Sequence, residues 1–135
     1  MEHMNRERAR RWVLPAAIAV VMTLGIAACG GSSGGSSYKE PTGPAQATVD
    51  IKGGNFFFDP KNPQAPAGII AIKLESTDAP HTLVFDGGKV PGFKLAASSG
   101  KSAQLKVNLK PGKYTFYCDI TGHREAGMEG TLTVT

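Results

Sequence analysis

Metal-binding side chains are scarce in this chain of 135 residues, which has two cysteines, three histidines and four methionines. After Cys29 only one cysteine and two histidines remain, so a metal centre bridged by two cysteines or built from three histidines is excluded there. The longest apolar stretch, Val13 to Ala28, has 16 residues, whereas a membrane-spanning helix needs ~20. Basic residues after residue 28 are spread along the chain and not clustered, so we expect no nucleic-acid partner.

The first 28 residues have the three parts of a secretory signal. Residues 1–12 contain four arginines against two glutamates, the apolar stretch follows, and Ile26-Ala27-Ala28-Cys29 matches a bacterial lipobox. We therefore predict a lipoprotein signal peptide over residues 1–28, lipidation of Cys29, and export to the outer face of the cell membrane or the periplasm. Without residues 1–28 the net charge falls from +4 to +2. A short anchor helix with an incidental cysteine is the alternative.

Residues 29–44 are predicted to be a flexible linker that begins at the lipidated cysteine. Glycine and serine fill residues 30–37, and two prolines follow before residue 45. A segment of this composition buries little apolar surface. The remaining 91 residues, 45–135, suffice for one small domain with its own core. We expect a monomeric domain that the linker and lipid hold near a membrane while leaving it free to reorient.

Alternation of apolar and polar residues predicts an all-β domain. In Ser102–Leu109 every second residue is apolar, and Lys113–Cys118 and Gly130–Thr135 follow the same period of two, which is typical of half-buried strands. Turn residues separate all the segments, and we expect a turn of helix only at Lys94–Ser99. The pattern predicts an antiparallel β-sandwich of seven to eight strands. The other predicted strands are Gln46–Lys52, Asn55–Asp59, Ile69–Ser76 and His81–Asp86.

Four potential metal ligands fall into one pattern in this domain: His81, Cys118, His123 and Met128. Two imidazoles, a thiolate and a thioether are the donors of a blue-copper electron-transfer site, in which two histidines and a cysteine form a plane and the methionine is a weak axial ligand. Cys118 shares its strand face with Phe116, so the donor should point into the core. We therefore predict one copper per domain and an electron carrier that is not an enzyme.

The sequence also resembles a known family. Residues 112–118 and 127–134 are similar to the C-terminal half of plastocyanin, and the domain as a whole resembles the cupredoxins, the small blue copper proteins of plastocyanin and auracyanin type. The resemblance implies a Greek-key β-sandwich with copper at one end, bound by the four residues named above. The family often has asparagine after the first histidine to tie the two ligand loops together. Here that residue is Thr82, whose hydroxyl could form a similar bond.

The resemblance further implies where electrons leave and which surface partners contact. His123 should reach the surface at the copper end as the main electron exit, within a mostly apolar patch that includes Phe93. Tyr117 is similar to the aromatic residue that marks a second partner site in the family, and Arg124 could orient a partner or simply be solvated. The expected partners are redox proteins, such as a cytochrome or a membrane oxidoreductase.

Two other uses of the same donors need to be weighed. Zinc tolerates cysteine and histidine with an open position, but Cu(II) binds such donors more tightly in the Irving–Williams order. A copper-delivery or copper-sensor protein also uses methionine and histidine. Delivery sites generally need labile, exposed ligands, whereas the alternation places Cys118 in the core. Delivery or sensing remains the alternative to electron transfer.

Overall fold

The computed structural model describes residues 37–135, and this part of the chain contains nine strands and one short 3₁₀ helix joined by loops. In these residues no helix is long and apolar enough to cross a membrane. The predicted signal peptide and Cys29 lie outside the described residues. The elements are β1 (Ala47–Gly54), β2 (Phe57–Asp59), β3 (Gln64–Ala65), β4 (Gly68–Ser76), β5 (His81–Phe85), the 3₁₀ helix (Asp86–Gly88), β6 (Lys94–Ala97), β7 (Ser102–Leu109), β8 (Gly112–Tyr117) and β9 (Glu129–Val134).

The strands form two sheets, in the orders β2-β1-β4-β7 and β3-β9-β8-β5-β6. Apolar residues of both sheets belong to one core, in which Ile72 and Leu74 of the first sheet and Leu83, Phe116 and Leu132 of the second are at most 1% exposed. Full burial of one such side chain contributes roughly 1.5–3 kcal/mol to folding. The predicted β-sandwich is therefore confirmed.

Two strand pairs run parallel, which differs from the antiparallel pairing expected throughout. β1 pairs with β4 in parallel register from Ala47 to Gly53, and the two residues of β3 pair in parallel with β9. The chain achieves the first pairing by crossing to the second sheet at β3 and returning at β4, since parallel neighbours need a crossover connection. Alternation could not reveal this, because it records which face of a strand is buried and not the direction of its neighbour.

The expected turn of helix at Lys94–Ser99 is wrong, because Lys94–Ala97 form strand β6. This strand pairs antiparallel with β5, and Ala97 lies opposite His81. Leu95 and Ala97 are buried while Lys94 and Ala96 are exposed, so the strand follows a period of two after all. Four residues are too few for that period to be recognised in the sequence. With β3, this strand brings the number of strands above the predicted seven to eight.

The ordered domain extends further toward the N-terminus than the predicted boundary at residue 45. The Tyr38 ring packs edge-on against Phe93 with 5.1 Å between centroids, and its hydroxyl donates to the Lys106 carbonyl at 2.8 Å. The backbone N–H of Lys106 donates to Glu40 at 2.9 Å. Tyr38 and Glu40, which lie in the predicted linker, thus contact the sandwich, and the flexibility of the linker up to residue 44 stays a prediction. Residues 29–36 of that linker lie outside the described residues.

Candidate metal centre

His81 is positioned at the first residue of β5, where it is 2% exposed. Its Nε2 lies 2.9 Å from Oδ1 of Asp78, and this hydrogen bond holds the pKa of Asp78 below its usual value. Its Nδ1 is buried and has no hydrogen-bond partner. Leaving a buried polar atom unpaired costs about 1–3 kcal/mol. A metal ion bound at Nδ1 would remove that cost and fix the ring proton on Nε2, facing Asp78.

Cys118 follows the last residue of β8 and is fully buried. β8 pairs antiparallel with β5, with Tyr117 opposite Val84, so the chain that follows β8 runs toward the beginning of β5. The backbone N–H of Thr82 points to the sulfur of Cys118, with 3.4 Å between nitrogen and sulfur. This contact fixes the position of the sulfur beside Thr82, the residue that follows His81.

His123 and Met128 lie on the ligand loop, residues 119–128, which connects β8 to β9. The N–H of Met128 donates to the His123 carbonyl at 3.0 Å, and the N–H of Cys118 donates to the Met128 carbonyl at 3.1 Å. The loop thus folds back onto its own start. Gly127 makes this reversal possible with a φ of 106°, which residues with side chains rarely adopt. Met128 is fully buried, whereas His123 is half-buried.

The donors of three of the predicted ligands meet at one point. A ligand atom from each of His81, Cys118 and His123 lies within 4.8 Å of the other two, and this is the only such group found in residues 37–135. The sulfur of Cys118 is 3.5 Å from Nδ1 of His123. A metal ~2.0–2.3 Å from each donor in a trigonal plane places neighbouring donors about 3.7 Å apart. The three residues therefore fit a single metal ion without rearrangement of the fold.

Met128 lies beside this cluster, against Gly53 at the end of β1. A Cβ placed on Gly53 would be 3.3 Å from Cε of Met128 and 3.4 Å from Cβ and Cδ2 of His81. The same glycine therefore contacts both the first imidazole and the thioether side chain. A side chain at Gly53 would require these neighbours to shift slightly, and the packing places Met128 close to His81, as an axial ligand requires.

Thr82 ties the two ligand-bearing segments together, as the sequence suggested that it could. Its hydroxyl donates to Oδ1 of Asp119 at 2.6 Å and accepts a hydrogen bond from the Asp119 backbone N–H at 3.0 Å. Lys94 donates to the other carboxylate oxygen of Asp119 at 2.8 Å. Burial alone would raise the pKa of Asp119, but the hydrogen bonds from Lys94 and Thr82 hold this pKa below its usual value. The start of the ligand loop is thereby joined to β5 and β6 next to Cys118.

Arg124 and Tyr117, both predicted to contact partners, lie against one another. The Arg124 guanidinium is 3.9 Å from the centre of the Tyr117 ring, within the range of a cation–π interaction. Arg124 also forms ion pairs with Asp86 at 2.9 Å and with Glu129 at 2.7 Å. Its charge is therefore neutralised within the protein. The ion pairs link the ligand loop to β9 and to the 3₁₀ helix.

The apolar surface beside His123 differs from the one predicted. Phe93 is 3% exposed and packs between Phe85 and Tyr38, so its expected place on the exposed patch is wrong: the N-terminal segment covers it. Phe56 is 43% exposed, and its ring lies edge-on to His123 with 5.2 Å between centroids. Phe57 is 48% exposed.

Sequence reasoning missed the roles of Phe56 and Asp78. The three successive phenylalanines at residues 56–58 belong to a strand that the sequence predicts, and alternation cannot tell which of them a hairpin turn leaves exposed. Phe56 has a φ of +60°, which is rare for a bulky residue. The only signal for Asp78 was a carboxylate three residues before the first histidine.

Comparisons with known proteins agree with this geometry. The family model for copper binding proteins of the plastocyanin/azurin family matches residues 45–135. Plastocyanin from Prochlorothrix hollandica is 36% identical over 99 residues, which cover 65% of this chain and 73% of that protein. Plastocyanin from Dryopteris crassirhizoma is 36% identical over 104 residues, 67% of this chain and 99% of the relative. The auracyanin B structure superposes with a TM-score of 0.61 at 21% identity, covering 75% of this chain and 96% of that chain.

These findings confirm the predicted cofactor and family. The matching family binds copper, and the cluster of His81, Cys118 and His123 has the donors and spacing of a type 1 copper site. The solved structure supports the shared β-sandwich. The family match spans the whole sandwich except the N-terminal segment that packs on it. The chain is a blue copper protein of the plastocyanin/azurin family.

Proposed function

We propose that this chain is a mononuclear copper electron carrier whose metal ligands are His81, Cys118, His123 and Met128. The main support is that His81, whose buried Nδ1 has no hydrogen-bond partner, belongs to the same cluster as Cys118 and His123. A bound copper ion in such a site accepts and releases one electron.

The arrangement of the ligands suits both oxidation states of copper. Thiolate, thioether and imidazole satisfy Cu(I), while the two imidazoles and the thiolate also satisfy Cu(II). His81 begins β5, Cys118 directly follows its partner strand β8, and backbone hydrogen bonds close the ligand loop around Met128. Because these contacts fix the donors, little needs to move when an electron arrives or leaves. A rigid site of this kind supports fast electron transfer.

His123 is the proposed exit for the electron. It is the only half-buried member of the donor cluster, and the exposed ring of Phe56 provides an apolar surface next to it. A redox protein, such as a cytochrome or a membrane oxidoreductase, would dock there and bring its own cofactor close to His123. Tyr117 and Arg124 form a neighbouring surface, in which the guanidinium lies on the ring and is also paired with Asp86 and Glu129. The stacked pair would contribute to docking by its shape.

We also propose that the protein is exported and attached to a membrane through a lipid on Cys29. The support is the order of basic segment, apolar stretch and lipobox in residues 1–29. Expression of the native chain and of Cys29→Ser, followed by separation of membranes, tests this. The native protein should sediment with membranes, and the variant should not be lipidated and should leave the membrane fraction. Equal distribution of the two proteins would contradict the lipid anchor.

Voltammetry on the copper-loaded protein tests electron transfer against copper delivery. We expect a reversible one-electron wave, and retention of copper in the presence of a Cu(I) chelator, because Cys118 is fully buried. Met128→Leu should still bind copper and should have a higher reduction potential, since the axial bond is weak. Rapid loss of copper to the chelator, or a Met128→Leu protein that binds no copper, would favour delivery.

A further inference from the structure

The buried imidazole of His81 hydrogen-bonds to a charged side chain of this chain. We infer that Asp78 is a positioning residue that lowers the reduction potential of the copper site by accepting a hydrogen bond from Nε2 of His81. The two atoms are 2.9 Å apart, and the other ring nitrogen is the unpartnered one. The inference rests on the proposed ligation of copper by Nδ1 of His81, because that ligation places the ring proton on Nε2.

The loop before β5 is fixed so that Asp78 meets the ring. The Ser99 hydroxyl donates to the backbone carbonyl of Asp78 at 2.7 Å. Next to it, the N–H and hydroxyl of Thr77 both donate to the carbonyl of Gly53, at 3.0 and 3.1 Å. Gly53 in turn leaves no free space beside His81. Loop and ring are thus held from both sides, which fixes Asp78 beside the imidazole of His81.

The chemistry of this bond determines the direction of its effect. A carboxylate that accepts the ring proton increases the basicity of the opposite nitrogen. The more basic Nδ1 binds Cu(II), with its higher charge, more strongly than it binds Cu(I), so the oxidised form is favoured and the potential falls. The His81 side chain is 1% exposed and the Asp78 side chain 41%. Solvent at Asp78 weakens the effect of its charge on the ring. The change in metal affinity on removal of Asp78 should therefore lie near the low end of the range known for carboxylates that hydrogen-bond to a metal-binding histidine.

Two variants of Asp78 separate the charge from the hydrogen bond. Asp78→Asn keeps an acceptor oxygen and removes the charge, whereas Asp78→Ala removes both. Asp50→Asn is the matched control, because it removes the same charge from an exposed strand position paired only with Lys73. Potentials, and Cu(II) and Cu(I) affinities, are measured for the full chain and all variants. Loss of such a partner typically costs ~10–100-fold in metal affinity.

We expect Asp78→Ala to lower the ratio of Cu(II) to Cu(I) affinity about tenfold, which raises the potential by ~59 mV for one electron. Asp78→Asn should show a smaller rise and Asp50→Asn almost none. If Asp78→Ala lost Cu(II) binding and kept Cu(I) binding, the ratio of the two affinities would fall further in the expected direction, which would also support the inference. The inference would be overturned by an unchanged ratio of affinities or by an equal shift of the potential in the Asp50→Asn control. Equal loss of the Cu(II) and Cu(I) affinities would also overturn it, because that result would show a purely structural role for Asp78.

The tautomer of His81 provides a second measurement that needs no variant. In the Cu(I) form of the native chain, nitrogen NMR should show the His81 proton on Nε2, protected from exchange. A proton on Nδ1 would overturn the inference. If instead the native protein binds copper without a blue or green colour, the proposed function itself fails. A coloured native protein with unchanged Asp78 variants would refute only the role of Asp78.

Discussion

Replacing Thr82 by valine tests how the two ligand-bearing segments are joined. The substitution keeps the size and branching of the side chain but removes the hydroxyl, which donates to the Asp119 carboxylate and accepts from its backbone N–H. A hydrogen bond to a charged group contributes about 1.5–3 kcal/mol and a neutral one about 0.5–1.5 kcal/mol. Asp119 is partly exposed, so water replaces some of this loss. We expect Thr82→Val to lower the free energy of unfolding by about 2 kcal/mol.

Thr82→Ser is the control for this variant, because it keeps the hydroxyl and removes only a methyl group, which costs about 0.8 kcal/mol. Urea unfolding of the reduced, metal-free protein is best followed by circular dichroism, since the only tryptophan, Trp12, precedes the sandwich. A loss of 2 kcal/mol should lower the melting temperature by roughly 8–16 °C. A valine variant as stable as the native protein, or no more destabilised than the serine variant, would refute the proposed link.

Two further predictions concern packing and charge near the site. Gly53→Ala should lower the free energy of unfolding by about 1 kcal/mol or more, because its Cβ would press on Met128 and His81. For the same reason it should shift the visible spectrum of the copper protein, and an unchanged spectrum would contradict this packing. The hydrogen bond from Arg124 holds the pKa of Asp86 below its usual value, so its stabilising effect is present above the unfolded-state pKa of ~3.9. Urea unfolding at several pH values should show that Asp86→Asn is less stable than the native protein at pH 6. The difference in stability should disappear as the pH falls through the folded-state pKa of Asp86. A difference that persisted at low pH would contradict this.

The sequence allowed the ligand cluster and the long strands to be predicted. Ser102–Leu109 was predicted with the bounds that β7 has, because alternation over eight residues is a strong local signal. The donor cluster was predicted from the chemistry of His81, Cys118 and His123, the few residues in the domain able to bind copper together. Both predictions depend on local patterns or on scarce residue types, which a sequence displays directly.

Other features depend on contacts between distant segments. The strand at Lys94–Ala97 forms because β5 offers it an edge, and Phe93 is buried because Tyr38, 55 positions earlier, covers its ring. Neither contact leaves a mark in the local pattern. Phe56 could not be assigned to the surface beside His123, because this requires the hairpin between β1 and β2 to reach the ligand loop. Such contacts become visible only when the strands are assembled.

Copper loading tests the central claim most directly. Cu(II) is added to the reduced, metal-free protein, and the visible spectrum is recorded for the native chain and for Cys118→Ser. A thiolate bound to copper in the predicted site should give an intense charge-transfer band, blue to green, that ascorbate bleaches reversibly. The serine variant should lack the band, because a hydroxyl cannot replace the thiolate as donor. Copper binding by the native protein without this band would contradict a blue-copper electron-transfer site.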